Sequence, residues 1–524
     1  MRRGGARPLP AEWALLAALA AWGVVPVIVM ALHALHVHAR LTGADGLIGA
    51  DGVLGADQLQ YLAWARDAGA HGLISDLFTL APTAHVFLEP LSIVTGVLWR
   101  IGLSLQLAYL LWKPVAAVAL FAAAFAWAHR LADGAGARAA VIALSLFLYT
   151  PLAWLFDWAQ LGSGGFRFQL YLIGWELLPA NKLWGYVPSA LALALMPVAL
   201  LAVERALEPP RGYSARPALV LASAAALFAA LLHPWQGVTL ILVLAGLAIW
   251  RAMRGWRTLA IPALAALLPL LYYEALARGD AAWKLASMNE VVARLPLLAL
   301  LAGLGPPALI AAAGVRRPGE VVIERALLLW IAASFVTYFT VDAFPSHALQ
   351  GLSLPFAVLA VRGWRRLRLP AALGVLAIVA VSVPGLAWDA QKLLQSAHST
   401  TPQYYLTASD GRALDWVAER APAGGVLAPT PFAIVVPSQT GRAVWVGHPY
   451  WSSDYFVRAR TAGALFGDSM RPSRARAFVS ATGASVLISD CAHRADLART
   501  LAPMLVAVHR FGCASVYVIR RPGG

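Results

Sequence analysis

Three aspartates, Asp45, Asp51 and Asp57, recur at intervals of six in GADGLIGADGVLGAD, with glycines between them that allow close backbone approach. A positioned carboxylate of this kind can take the proton of an attacking hydroxyl. Cations able to hold a leaving anion follow: Lys113 in LLWKPVAA, Arg167 and Lys182 within 158–182, and His233 in HPWQ. A guanidinium grips phosphate through two parallel hydrogen bonds, which ranks Arg167 first. Two of these residues also have a plainer reading. Asp57 stands where a helix-like stretch begins and can be its N-cap. Lys113 lies one turn inside an apolar run and can snorkel outward. The turn at His233 needs its proline but shows no evident need of His233 and Trp235 together, which favours a phosphate or sugar ring there.

These residues sit in a chain built for lipid. Of 524 residues 60% are hydrophobic and 13% charged, more apolar surface than one soluble core requires. Apolar runs near 13–33, 109–128, 139–157, 183–203, 217–233, 236–250, 258–276, 295–314, 323–341, 347–361 and 370–388 predict eleven membrane helices. The first run reads as an uncleaved span, since no small-residue cleavage site follows it cleanly. The net charge of +15 is gathered in MRRGGAR, HRLADGAGAR, ERALEPPRGYSAR, RAMRGWR, VRRPGEVVIER and RGWRRLR. These clusters fall on one side of successive spans and mark the cytoplasmic face of a multi-pass protein of the cell membrane. Membrane lipid is thus a partner and nucleic acid is not. The intervening segments lie outside, among them 34–108, 158–182, the HPWQ turn and the DAFPSH loop with His347. EPLSIVTGVLWRIGL (89–103) is too short to span and would reverse every later cluster, so it reads as a re-entrant or interfacial helix.

The first external loop, about 75 residues, exceeds the usual connector. Within it Leu59, Leu62, Ala63 and Ala65, with Tyr61 and Trp64, predict an amphipathic helix lying at the lipid surface. From about Trp388 the long apolar runs end. ALDWVAERA reads as helix, and GVLAPTP, AIVVPS, RAVWVGHP, ASVLISD and ASVYVIRR read as strands. The expected organisation is mostly α: a transmembrane domain over 1–388, carrying the long loop 34–108, and an extracytoplasmic α/β domain over 389–524. Cys491 and Cys513 both fall in that tail, where an oxidising exterior favours a disulfide and two buried thiols are the alternative.

His33, His36 and His38 cluster in HALHVH near acidic residues, but interfacial histidines without a ligand are the plainer reading, so no metal is assigned. A divalent cation is compatible with the chain and not indicated by it. Gly-rich phosphate loops, Cys-based zinc spacings and nucleophile elbows are lacking, which argues against ATP-driven chemistry.

One span, a long external loop with Asp57 four residues before Tyr61, the Glu89–Pro90 step, many further spans and an α/β tail together resemble the GT-C superfamily of polytopic membrane glycosyltransferases. The stretch ALDWVAERAPAGGVLAPTPFAIVVPSQTGRAVWVGHP is similar to the C-terminal region of bacterial members. The resemblance implies a polyprenyl-phosphate-linked sugar as donor, an extracytoplasmic glycan, lipid or protein as acceptor, and an acidic catalytic base in the first external loop. Asp57, then Asp51, match that base. Arg167, Lys113, Lys182 and His233 are expected at the donor phosphate; Tyr61, His85, Glu89, Trp235 and His347 are expected at substrate. Inverting transfer needs only one such carboxylate, because the leaving phosphate can be stabilised by cations. Two other functions compete: a transporter or flippase of lipid-linked sugars, and a non-catalytic cell-envelope assembly protein. Transporters place ionisable groups near the midplane of paired halves, whereas here they gather at the outer ends of spans.

Overall fold

Apolar runs become helices here, as lipid demands of segments that must satisfy their own backbone groups. The computed structural model describes residues 9–43, 53–315, 321–397, 401–493 and 495–520, so Asp45 and Asp51 lie outside the described residues. Among the described residues six helices are long and apolar enough to cross a membrane: α1 (Pro10–His36), Leu105–Leu131, Val187–Leu207, Trp256–Gly279, Val322–Thr340 and Ala371–Gln395. Ala135–Phe147 and Pro151–Trp158 make a seventh if that pair, bent by 53°, is one span. Arg216–Leu232, Pro234–Trp250 and Leu297–Ala313 are apolar but shorter. The run expected at 347–361 forms a 3-10 turn, Pro345–Leu349, and the 14-residue helix Ser353–Arg366.

The chain divides into two compact units. One comprises Met1–Val25, Trp112–Glu274 and Val291–Gln391; the other comprises Pro26–Leu111, Ala275–Glu290 and Lys392–Gly524. In the first, Leu297–Ala313 and Ser353–Arg366 cross at small residues: a Cβ on Gly363 would sit 2.4 Å from the Ile310 carbonyl oxygen. Such contacts replace the hydrophobic drive that lipid removes between helices.

In the second unit, α2 (Val53–His71) and α3 (Pro90–Arg100) cross at glycines. A Cβ on Gly96 would approach the Ala65 carbonyl oxygen and the Gly69 nitrogen to 2.5 Å, so only glycine admits this crossing. On another side Arg66 donates its Nε to the Ser438 carbonyl oxygen at 2.8 Å. The helix expected to lie on lipid is therefore enclosed by protein: Leu59, Leu62, Ala63 and Ala65 are all fully buried. At 11 residues α3 is too short to span.

The tail carries a four-stranded sheet in the order β3 (Val426–Leu427), β4 (Val486–Ser489), β6 (Ala514–Ile519), β5 (Leu505–Phe511). β3 pairs parallel with β4, while β4–β6 and β5–β6 are antiparallel. Leu427, Phe466, Val479, Leu487 and Tyr517 fill its core. A second ladder joins β1 (Arg40–Leu41) to β2 (Tyr405–Leu406), with Arg40 opposite Leu406. Cys491 and Cys513 form a disulfide linking the segment after β4 to the β5–β6 turn. ALDWVAERA is helical as expected through Glu419, the end of the helix Ala408–Glu419. AIVVPS is not a strand: it forms the 3-10 turn Phe432–Ile434 and the helix Val435–Thr440. A short buried apolar run has no period that separates the two, and its proline lacks a ladder donor. RAVWVGHP contributes one bridge, Val444 to Val426, and is otherwise irregular.

Candidate active site

Asp57 lies in the second turn of α2, because the helix begins at Val53; the first turn carries no acidic residue, so the N-cap reading fails. Its Oδ1 meets Nε2 of His448 at 3.2 Å. His448 is buried, and its Nδ1 accepts the backbone N–H of Tyr450 at 3.2 Å. That acceptor role leaves the proton of a neutral ring on Nε2, pointing at Asp57. The histidine is held in turn by Ser452, whose Oγ accepts from the Gly447 and His448 nitrogens at 3.0 and 3.3 Å and donates to the Phe78 carbonyl oxygen.

Glu290 follows the helix Ala281–Asn289 and carries a proton to unusually high pH. Burial, then the negative charge of Asp57, push its carboxyl up to about 7. Asn289 ties this segment to the histidine loop by donating to the Tyr450 carbonyl oxygen at 2.9 Å. Four rings brace the same region: Trp451 packs edge-on against Trp64 of α2 at 5.5 Å and Trp283 at 5.0 Å, and Phe87 contacts Trp64 and Trp283 at 5.0 and 4.4 Å. Aromatic anchors of this kind fix the approach of α2, the 74–87 hairpin and the 448–452 loop. Asp76, in that hairpin, is also raised to about 7, chiefly by burial and further by the charge of Asp280.

The remaining first-loop candidates take definite places. Tyr61 lies one turn beyond Asp57, its ring 5.7 Å from Trp64. Glu89 caps α3, accepting from the Leu91 and Ser92 nitrogens with its two oxygens. His85 reaches Oδ1 of Asp67 at 3.3 Å.

In the other unit the candidates group around a carboxylate not singled out in the sequence. Glu176, buried near the end of the helix Gly164–Leu177, accepts from Lys182 Nζ at 2.8 Å and Gln350 Nε2 at 2.7 Å on one oxygen. On the other it meets His347 Nδ1 at 2.8 Å and Ser346 Oγ at 3.1 Å. Burial alone would raise this carboxyl, but the charges of Lys182 and then His347 outweigh it and hold it well below the usual carboxylate range. His347 stands edge-on to Trp235 at 4.8 Å and to His233 at 5.5 Å. Trp235 donates to the Ala343 carbonyl oxygen at 2.7 Å. Lys113 is buried and donates to the Leu183 carbonyl oxygen; it does not snorkel. Arg167 is partly exposed, with its Nε 3.6 Å from Asp157 Oδ1 and one terminal nitrogen on the Gly162 carbonyl oxygen at 3.0 Å.

His448, Glu290 and Glu176 had no local signal. His448 and Asp57 are 391 residues apart, and only the folded tail brings them together. Among the described residues His33, His36 and His38 join no group of metal ligands, and His33 instead sets its ring edge-on to Tyr405.

No protein-family model and no curated protein matches the chain. Solved structures do match its fold. ArnT from Cupriavidus metallidurans, bound to undecaprenyl phosphate, is 14% identical with a TM-score of 0.52, over 97% of this chain and 98% of that one. The oligosaccharyltransferase of Archaeoglobus fulgidus, tethered to an acceptor peptide containing the NVT sequon, is 12% identical with a TM-score of 0.53, over 97% and 74%. Its apo form is 12% identical with a TM-score of 0.51, over 94% and 71%. At such identities the likeness establishes the fold alone, which is mostly helical with several apolar helices long enough to cross a membrane.

Proposed function

We propose that this chain is a GT-C membrane glycosyltransferase that moves a sugar from a polyprenyl-phosphate donor to an extracytoplasmic glycan, lipid or protein acceptor. Asp57 is the general base. It takes the acceptor proton while the acceptor oxygen forms a bond to the anomeric carbon and the bond from that carbon to the phosphate oxygen breaks, with inversion. The electron pair leaves on the polyprenyl phosphate. The observation that carries this reading is the contact of Asp57 with a buried, oriented His448, which would hold the carboxylate in one rotamer to receive the acceptor proton. The undecaprenyl phosphate on ArnT supports the class of donor.

The arginine clusters support a cytoplasmic N-terminus and an external position for both Asp57 and the tail, residues 389–524, and the Cys491–Cys513 disulfide supports an oxidising surrounding for that tail. Arg167 is retained for the donor phosphate. Lys182 and Lys113 already serve Glu176 and the Leu183 carbonyl, which supports structural parts for them.

The test is the purified protein in nanodiscs with a panel of polyprenyl-phosphate sugars and cell-envelope acceptors. The expected result is acceptor-dependent release of polyprenyl phosphate and a product of inverted anomeric configuration. Passage of an unconsumed donor across the bilayer would replace this reading with a transporter.

A further inference from the structure

The end of α2 and the hairpin after it bring together three side chains that take no proton and hold no phosphate in the transfer proposed above, among them His85, which the sequence placed at substrate. Asp67 and His71 lie four residues apart on one face of the helix, and His85 returns to them because Ile74 and Phe87 bridge antiparallel. His71 Nδ1 lies 2.9 Å and His85 Nε2 3.3 Å from Asp67 Oδ1, and one ligand atom from each of the three falls within 4.8 Å of the others. Among the described residues no other trio of His, Cys, Asp or Glu is close enough to share an ion.

The surroundings suit a metal. The Asp67 side chain is 3% exposed, while those of His71 and His85 are 53% and 37% exposed. The second carboxylate oxygen of Asp67 is fixed by Ser75, whose backbone N–H and Oγ donate at 2.7 and 2.9 Å. An outer partner of this kind orients a ligating carboxylate. The two imidazole rings lie 4.1 Å apart, close enough that two cationic rings would repel, whereas two neutral rings can share one ion.

We propose that Asp67 Oδ1, His71 Nδ1 and His85 Nε2 bind one divalent transition-metal ion, Zn²⁺ by preference, which clamps the end of α2 to the 74–87 hairpin. Two imidazoles and a carboxylate suit a borderline cation, whereas Mg²⁺ and Ca²⁺ take oxygen ligands. Asp57 stands ten positions upstream on the same helix, roughly 15 Å away at the rise of an α-helix, so the ion is separate from the proposed base. The inference holds whether or not the chain transfers a sugar.

Full-length protein with a non-histidine tag, stripped by a chelator, is titrated with Co²⁺ and then Zn²⁺. The expected result is one Co²⁺ per chain with the visible bands of a four- or five-coordinate ion, displaced by Zn²⁺, and a higher melting temperature in Zn²⁺ than in chelator. His71→Ala and His85→Ala each weaken binding by about tenfold or more. In chelator each melts only slightly below wild type, by the loss of one half-exposed hydrogen bond to Asp67, whereas the Zn²⁺-dependent rise is lost; His36→Ala binds as wild type. Bands or Zn²⁺ stabilisation that persist in the His71/His85 double variant would overturn the assignment, as would a wild-type protein with no metal-dependent band or shift.

Discussion

His448 Nε2 points at Asp57 Oδ1 from 3.2 Å, and the Tyr450 N–H on Nδ1 fixes which nitrogen carries the proton. One loop of the tail thereby sets the rotamer of a carboxylate on α2. His448→Ala leaves the carboxylate but frees its rotamer, so kcat falls by about 10²-fold while KM for the donor holds. His448→Gln, which keeps a donor, recovers part of the loss. Steady-state kinetics of the three proteins checks this; equal falls in all measured parameters, tracking a lower melting temperature, would mark His448 as merely structural.

Glu290 gives a pH signature. Its carboxyl is raised from an ordinary 4.5 to about 7, so the folded chain holds this proton more tightly than the unfolded one. Stability from this group is greatest below the ordinary value, declines as pH rises from 4.5 to about 7, and levels off above. Glu290→Gln removes the decline and stabilises the protein at pH 8 by an order of 1–3 kcal/mol. Denaturant unfolding at pH 5 and 8 measures it, with Asp76 contributing in the same window.

The buried pair of Glu176 and Lys182 predicts non-additivity. Lys182→Met strands a carboxylate and costs about 3–5 kcal/mol, whereas Glu176→Gln with Lys182→Met costs less than the two single changes summed. Melting of the four proteins closes the cycle.

Sidedness is directly measurable because the described chain has no free cysteine. Ser473→Cys, exposed in the tail, is labelled by an impermeant maleimide in intact cells, and Ser214→Cys, exposed between two helices in an arginine-rich link, only after permeabilisation. The reverse pattern would put Asp57 in the cytosol and remove the donor from its reach.

How much of this was legible differs by length scale. Long apolar runs announce themselves, because a helix in lipid needs only its own sequence; α1 and Val187–Leu207 fall where hydropathy puts them. The 11-residue α3 was legible as too short to cross. The burial of α2 was not, since it depends on Gly69 meeting Gly96, a pairing no local period reveals. AIVVPS failed as a strand because a buried run of six carries no periodicity. Asp57 stood out through its place in a long acidic loop, but His448 and Glu290 belong to its surroundings only through the fold of the second unit.

The most direct test replaces one atom. Asp57→Asn keeps the shape of the side chain and removes its capacity to accept a proton, so sugar transfer from polyprenyl phosphate to acceptor falls by about 10²–10⁴-fold with donor binding intact. Transfer at the wild-type rate by that variant would contradict the assignment of Asp57 as the base.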